Sequence, residues 1–171
     1  MAEDGAERVA IALGSNQGDR LENLRRALEA IERSGLLRDV RASHAWETPP
    51  EREGDGGAFL NAAVSGDTRL QPRALLEALL AIEGRLGRSR VPGAHGGPRT
   101  IDLDLVLHGR RVLDEPGLTV PHPRFARRAF VLVPLCEIEP NWIEPRSGCP
   151  LHSLLAALAP TRLPRVGSLR K

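Results

Sequence analysis

Apolar positions change period along this chain, and the changes mark out its elements. Arg8 to Leu13 is a short apolar run that ends at Gly14, which predicts a strand followed by the turn Gly14-Ser15-Asn16. Leu21, Leu24, Leu28 and Ile31 then recur at helical spacing, with Asp19 placed as an N-cap and Gly35 as the stop. Val40 to Thr48 reads as a second strand, broken by Pro49-Pro50. Residues 50–58 are polar and glycine-rich and predict a loop of the kind that often carries function. Phe59 to Thr68 predicts a third strand. Pro72 suits the first position of a helix striped by Leu75, Leu79, Ile82 and Leu86 and closed by Gly87. Residues 88–98 predict a second long loop, and Ile101 to Leu107 a fourth strand. Beyond Pro121 and Pro123, a short helix is expected over Arg124 to Leu132 and a small one at Leu151, Leu154, Leu155 and Leu158.

The order is β-α-β-β-α-β with a C-terminal extension, which predicts an α+β, ferredoxin-like sandwich. Two helices would cover one face of a four-stranded sheet, leaving the other for a ligand or for the extension. The expected organisation is a flexible N-terminus over 1–7, a single domain over 8–160 and a C-terminal tail over 161–171, frayed from about residue 162.

Composition narrows the function classes. The chain has 171 residues, long enough for a real core, and its 41% hydrophobic and 27% charged content is ordinary for a globular protein. A net charge of +2 implies no strong nucleic-acid or membrane field. The basic residues are nearly all Arg, whose planar forks suit phosphate; the only Lys is Lys171. There is no Tyr, and Phe59, Phe125, Phe130, Trp46 and Trp142 are the only aromatics, too few for a single-strand stacking platform. Cys136 and Cys149 lack metal or disulfide spacing, and Cys136 reads as a buried core thiol. No apolar run approaches the roughly 18 residues that span a bilayer. A reduced, cytoplasmic, monomeric protein is expected.

The densest chemistry lies in Gly97-Pro98-Arg99-Thr100-Ile101-Asp102-Leu103-Asp104-Leu105-Val106-Leu107. On a strand, Asp102 and Asp104 project to one side with Cα atoms roughly 6.6 Å apart, at about 3.3 Å per residue. Leu103, Leu105 and Leu107 would fill the other side. A hard cation such as Mg²⁺ relieves the repulsion of the pair, and Arg99 suits a bidentate phosphate contact. An Asp-x-Asp pair on an edge strand also serves as a solubility device. The flanking Gly-Pro-Arg-Thr and the nearby arginines favour a metal–phosphate site.

Other candidates each have two readings. Glu83 falls beside the apolar stripe, in line with Leu76 and Leu80, as a snorkelling surface carboxylate or an acceptor for a ligand base. Arg85, Arg88 and Arg90 form a solvated face or a polyphosphate clamp. His122, between Pro121 and Pro123 and ahead of Arg124, Arg127 and Arg128, is structural or part of a second phosphate wall. Phe59 and Asn61 share a strand face, as a core ring with a capping amide or as a platform that stacks and reads a flat heterocycle.

Taken in order, Gly14-Ser15-Asn16, Thr48-Pro49-Pro50, Phe59-Leu60-Asn61-Ala62-Ala63-Val64, the Gly97–Asp104 block and Val120-Pro121-His122 resemble the 6-hydroxymethyl-7,8-dihydropterin pyrophosphokinase family of folate biosynthesis. The resemblance runs over roughly residues 8–160. It implies transfer of pyrophosphate from ATP to the pterin hydroxymethyl group, with release of AMP. It assigns two Mg²⁺ ions to Asp102 and Asp104, and charge stabilisation to Arg88 and Arg99. Glu83, Arg88, Arg90, Arg99, Thr119, His122 and Arg128 are implied to bind ATP. Thr48, Pro49, Phe59, Asn61 and Phe130 are implied to bind the pterin, with the two Phe rings as a sandwich. The 48–58 and 88–98 loops would close over the substrates. Two stretches depart from the family pattern: His95-Gly96 stands where a basic residue and Trp are usual, and Pro123 where an aromatic follows Val-Pro-His. His95 or Trp46 is available to compensate for the first. The residues alone leave open another Mg-dependent nucleotidyl or phosphoryl transferase, and a non-catalytic ferredoxin-like nucleic-acid module.

Overall fold

A computed structural model describes residues 5–50, 53, 56–87 and 99–171. The elements run β1 (Glu7–Ser15), α1 (Arg20–Ser34), β2 (Arg38–Ala42), β3 (His44–Thr48), β4 (Phe59–Thr68), α2 (Pro72–Arg85), β5 (Asp102–His108), β6 (Leu113–Glu115) and β7 (Leu118–Val120). A 3₁₀ turn (Phe125–Arg127), α3 (Ala129–Ile138), α4 (Leu151–Ala156) and β8 (Arg165–Ser168) follow. The main sheet is antiparallel in the order β5-β1-β4-β3-β8, with β2 also on β4. This is the expected βαββαβ arrangement with its second strand divided. The division falls at Ser43, whose hydroxyl accepts the Ala63 N–H at 2.9 Å while its own N–H donates to the Ala63 carbonyl at 2.9 Å. One serine thus satisfies both backbone groups of Ala63 and offsets the strand.

The side chains sort into two cores. Val9, Ile11 and Leu13 of β1, Leu60, Ala62 and Val64 of β4, and Leu103 and Leu105 of β5 meet α1 and α2. In α1 the predicted stripe residues Leu24, Leu28 and Ile31 are buried, each contributing about 1.5–3 kcal/mol by leaving water. Asp19 caps that helix, accepting the Glu22 N–H at 3.0 Å, and Gly35 ends it at φ 68°. On the opposite face, Ala10, Ala63 and Leu107 pack with Phe125, Val131, Leu132, Leu135 and Leu151. The extension therefore covers part of the second face, and the remainder is where the candidate site lies.

Three expectations are corrected. Leu107 does not share a face with Leu103 and Leu105. Ile11 pairs with Leu105 but Ala10 with Leu107, so Val106 is an extra residue that turns Leu107 to the α3 side. The helix expected over 124–132 is a 3₁₀ turn followed by α3, which continues through Pro134 to Ile138. The segment expected to fray supplies β8, paired with β3, and Leu169 is buried in the first core. Cys136 is half-buried against the second core, and burial pushes its thiol up to about 11. Among the described residues, no helix is long and apolar enough to cross a membrane.

Candidate active site

One row of residues crosses the sheet: Asp102 on β5 pairs with Gly14 on β1, Gly14 with Asn61 on β4, and Asn61 with Trp46 on β3. Paired residues in an antiparallel sheet project to the same side, here the face away from α1 and α2. Asp104 lies two residues beyond Asp102, opposite Ala12. The two acids are partly exposed on this face while Leu103 between them is buried. From Asp102 to Asn61 is two interstrand spacings, about 10 Å. The floor between them is Gly14, which carries no side chain. A Cβ there would come 3.3 Å from Asn61 Oδ1 and 3.7 Å from Phe59 Cδ1. The arrangement is a flat cradle with a carboxylate pair at one end and an amide at the other.

The amide end is rigid. Asn61 Nδ2 donates to Thr48 Oγ1 at 2.7 Å, and both residues are buried. Phe59, two residues before Asn61 on the same face, is half-buried. Pro49 is exposed. Arg20 bridges Glu47 at 2.7 Å and the Ala58 carbonyl at 2.8 Å, which fastens the strand ends that carry Thr48 and Phe59. Trp46 Nε1 donates to Glu137 of α3 at 3.0 Å, and Glu137 also accepts from the His44 backbone and meets its ring Nδ1.

The acidic end is anchored from two sides. Asn16 Oδ1 accepts the Arg99 N–H at 2.6 Å, and the Asn16 N–H donates to the Arg99 carbonyl at 3.1 Å. Arg99 in turn donates to Asp102 Oδ2 at 2.6 Å. From beneath, Glu83 Oε1 accepts the Leu103 N–H at 2.7 Å, and Glu83 is only 1% exposed. The surface reading of Glu83 is thereby overturned: its carboxylate sits in the α2–β5 interface and supports the peptide between the two acids.

A third wall comes from the β6–β7 hairpin. Arg73 of α2 holds Glu115 at 2.9 Å, and Arg146 holds Asp114 at 2.9 Å. Thr119 is partly exposed between buried Leu118 and Val120. The Val120–Pro121 peptide is cis, and the His122 N–H donates to the Val106 carbonyl at 2.9 Å. Burial lowers the His122 imidazole to about 4, with Arg128 and Arg124 adding to that and Asp102 opposing it. Its Nδ1 accepts the Arg124 N–H at 3.3 Å, so the neutral ring carries its proton on Nε2. Arg128 lies over the Phe130 ring, 5.3 Å from its centre. Arg88 and Arg90, like His95 and Gly96, lie outside the described residues.

The donor set fits a hard divalent ion. It consists of carboxylate oxygens, and among the described residues no third His, Cys, Asp or Glu joins the pair to complete a cage. Mg²⁺ is held in this way, by one or two carboxylates with water and substrate phosphate filling the other positions.

A profile of the family described as 7,8-dihydro-6-hydroxymethylpterin-pyrophosphokinase (HPPK) matches residues 10–140, a span that holds both ends of the cradle. The chain belongs to the HPPK family. Its HPPK relatives include a 2-amino-4-hydroxy-6-hydroxymethyldihydropteridine pyrophosphokinase of Pseudomonas aeruginosa, 43% identical over 151 residues, covering 88% of this chain and 91% of the relative. The mitochondrial folate synthesis bifunctional protein of Pisum sativum is 42% identical over 147 residues, which are 86% of this chain but 28% of that protein. The crystal structure of wild-type Plasmodium falciparum HPPK-DHPS superposes over 91% of this chain with a TM-score of 0.68 and 13% identity, a likeness of fold. This chain spans under half of that one, at 45%.

Within the HPPK fold, the cradle holds several residues whose part was not legible beforehand. Asn16 reads as a turn residue, yet it fixes both backbone groups of Arg99. Glu137 carries no signal at all, since its partners lie more than 90 positions away.

Proposed function

We propose that this chain transfers the pyrophosphoryl group of ATP to the hydroxymethyl oxygen of 6-hydroxymethyl-7,8-dihydropterin and releases AMP. The observation that carries the reading is the single row from Asp102 through Gly14 to Asn61. It gives a planar acceptor a floor, a polar edge to match, and a reacting end beside the carboxylate pair. Asn61 and the backbone at Thr48 and Pro49 read the pterin edge, with Phe59 and Phe130 against the ring faces.

In the reaction the hydroxymethyl oxygen bonds to the β-phosphorus and the hydroxyl proton is released. The bridge to the α-phosphate breaks on the β side, and AMP leaves with the bridging oxygen. Asp102 and Asp104 are assigned two Mg²⁺ ions, which when bound neutralise the triphosphate. Arg99, fixed by Asn16, moves from Asp102 to the phosphates and opposes the charge that develops on them; Arg88 is assigned the same work. His122 donates from Nε2 to a phosphate oxygen. Thr119, Arg128 and Arg90 complete the ATP side, and Glu83 supports it indirectly by holding the Leu103 N–H. All these residues come from one chain, so a monomer suffices, and the proposed setting is the cytoplasm.

The test mixes the purified protein, ATP, Mg²⁺ and 6-hydroxymethyl-7,8-dihydropterin and identifies products by mass. AMP with a pterin carrying two added phosphates supports the reading. ADP, or AMP with unmodified pterin, points to another transferase or a hydrolase. Steeply salt-dependent RNA binding with no turnover points to a nucleic-acid module.

A further inference from the structure

Trp46 stands outside the pterin and ATP contacts assigned above, yet it ends the row that forms the cradle. It pairs directly with Asn61, and on its other side with Arg165 of β8. Its neighbour Ala45 is fully buried in the first core, so the indole lies on the opposite, site-bearing face. Cβ atoms of directly paired residues are about 4.5–5.5 Å apart, which leaves the indole adjacent to the Asn61 amide. Asn61 Oδ1 lies near Gly14 while Nδ2 is engaged by Thr48, so the floor is open from Asp102 to Asn61. Beyond Asn61 it meets a large ring. That ring is locked, because Trp46 Nε1 donates to Glu137 Oε2 at 3.0 Å and Glu137 is itself held by His44.

We propose that Trp46 is the end wall of the acceptor pocket and sets the size limit at the edge of the acceptor farthest from the transferred group, with Glu137 as its positioning residue. The inference rests on the pterin reading above. A flat acceptor with its hydroxymethyl group at the carboxylate pair and its polar edge at Asn61 directs that edge, including its exocyclic amine, toward the indole. A rigid wall rejects even one added methyl group there. Hydrophobic pockets discriminate a single methylene by about 10–200-fold.

The experiment compares wild type, Trp46→Phe, Trp46→Ala and Glu137→Gln with the natural acceptor and with the same pterin methylated on its exocyclic amine. Wild type should prefer the natural acceptor by at least about tenfold in kcat/KM. Trp46→Ala should lose most of that preference, and Trp46→Phe should keep part of it. Glu137→Gln should raise KM for the pterin while leaving KM for ATP within about twofold of wild type. A readout independent of turnover uses Trp142→Phe, in which Trp46 is the only tryptophan. Bound pterin should shield Trp46 from acrylamide quenching, and a non-hydrolysable ATP analogue alone should not. An unchanged acceptor preference in Trp46→Ala, equal rises in both KM values, or no shielding overturns the inference while wild-type turnover leaves the pterin reading standing. A wild-type protein that yields no pyrophosphorylated pterin sinks both.

Discussion

Replacing Glu83 separates support of the site from contact with substrate. In Glu83→Ala the Leu103 N–H loses its acceptor inside an interface where Glu83 is 1% exposed and Leu103 is equally buried. Water has no easy access to take its place, so the orphaned donor costs about 1–3 kcal/mol. For a domain of this size each kcal/mol moves the melting midpoint about 2–4 °C, and the expected fall is therefore roughly 2–12 °C. Glu83→Gln keeps a carbonyl oxygen for the same N–H and should lose less than half as much. Leu103 lies between Asp102 and Asp104, so slackening its peptide also spoils the spacing of the pair. Glu83→Ala should then bind Mg²⁺ with ATP more weakly than Glu83→Gln does. Thermal unfolding followed by circular dichroism gives the midpoints, and amide exchange reports on Leu103 directly. An alanine variant that melts within about 1 °C of wild type, with its Leu103 amide still protected, would refute the assignment of Glu83 as the prop under β5.

Asp104→Ala should abolish turnover while melting near the wild-type temperature, because the side chain is partly exposed; an active variant removes the metal-pair reading. Asn61→Ala should raise KM for the pterin far more than for ATP, and calorimetry showing equal losses contradicts its edge-reading part. Gly14→Ala should weaken pterin binding by a few-fold to tenfold, since the new methyl meets Asn61 Oδ1 at 3.3 Å and disturbs an amide contact worth about 0.5–1.5 kcal/mol. Stability should fall as pH drops below about 6.5, the ordinary His value. Burial lowers the folded-state pKa of His108, which is 1% exposed and donates Nε2–H to the Leu70 carbonyl. The unfolded chain then binds the proton first, and acid favours unfolding. Melts of wild type and His108→Gln across pH 5–8 should diverge in that window, and parallel curves would remove His108 as the cause.

Much of the fold was legible because its signals are local and repeated. The α1 stripe, the Asp19 cap, the Gly35 stop and the strands β1 and β4 follow from periodicity and turn chemistry. The strand division at Ser43 was not legible, since a serine hydroxyl standing in for a ladder partner looks like any strand serine. Nor was β8: residues 161–171 read as a tail, and the strand takes its place only by pairing with β3. The helix expected over 124–132 begins later and runs on to Ile138, with Pro134 inside it. In the site, period two was enough to place Asp102 with Asp104 and Phe59 with Asn61 on shared faces. Which acid, amide and glycine meet across strands depends on register, which no local pattern carries. Of the two readings of Glu83, the exposed one fails for a related reason. The sequence shows its place on α2 but not that a β5 peptide would arrive with an N–H in need of an acceptor.

The extra residue at Val106 gives β5 a change of hand midway. Upstream of it the strand presents acids to solvent and leucines to α1 and α2; downstream it delivers Leu107 to the α3 layer and returns His108 to the first. Side chains alternate with a period of two, so the count between Asp104 and Leu107 is as constrained as the residues themselves. Removing one residue there would leave each amino acid chemically intact and still misdirect either the acids or the leucine. The chain length of this segment is thus itself a determinant of the site, one that point substitutions leave untouched and single-residue deletions expose.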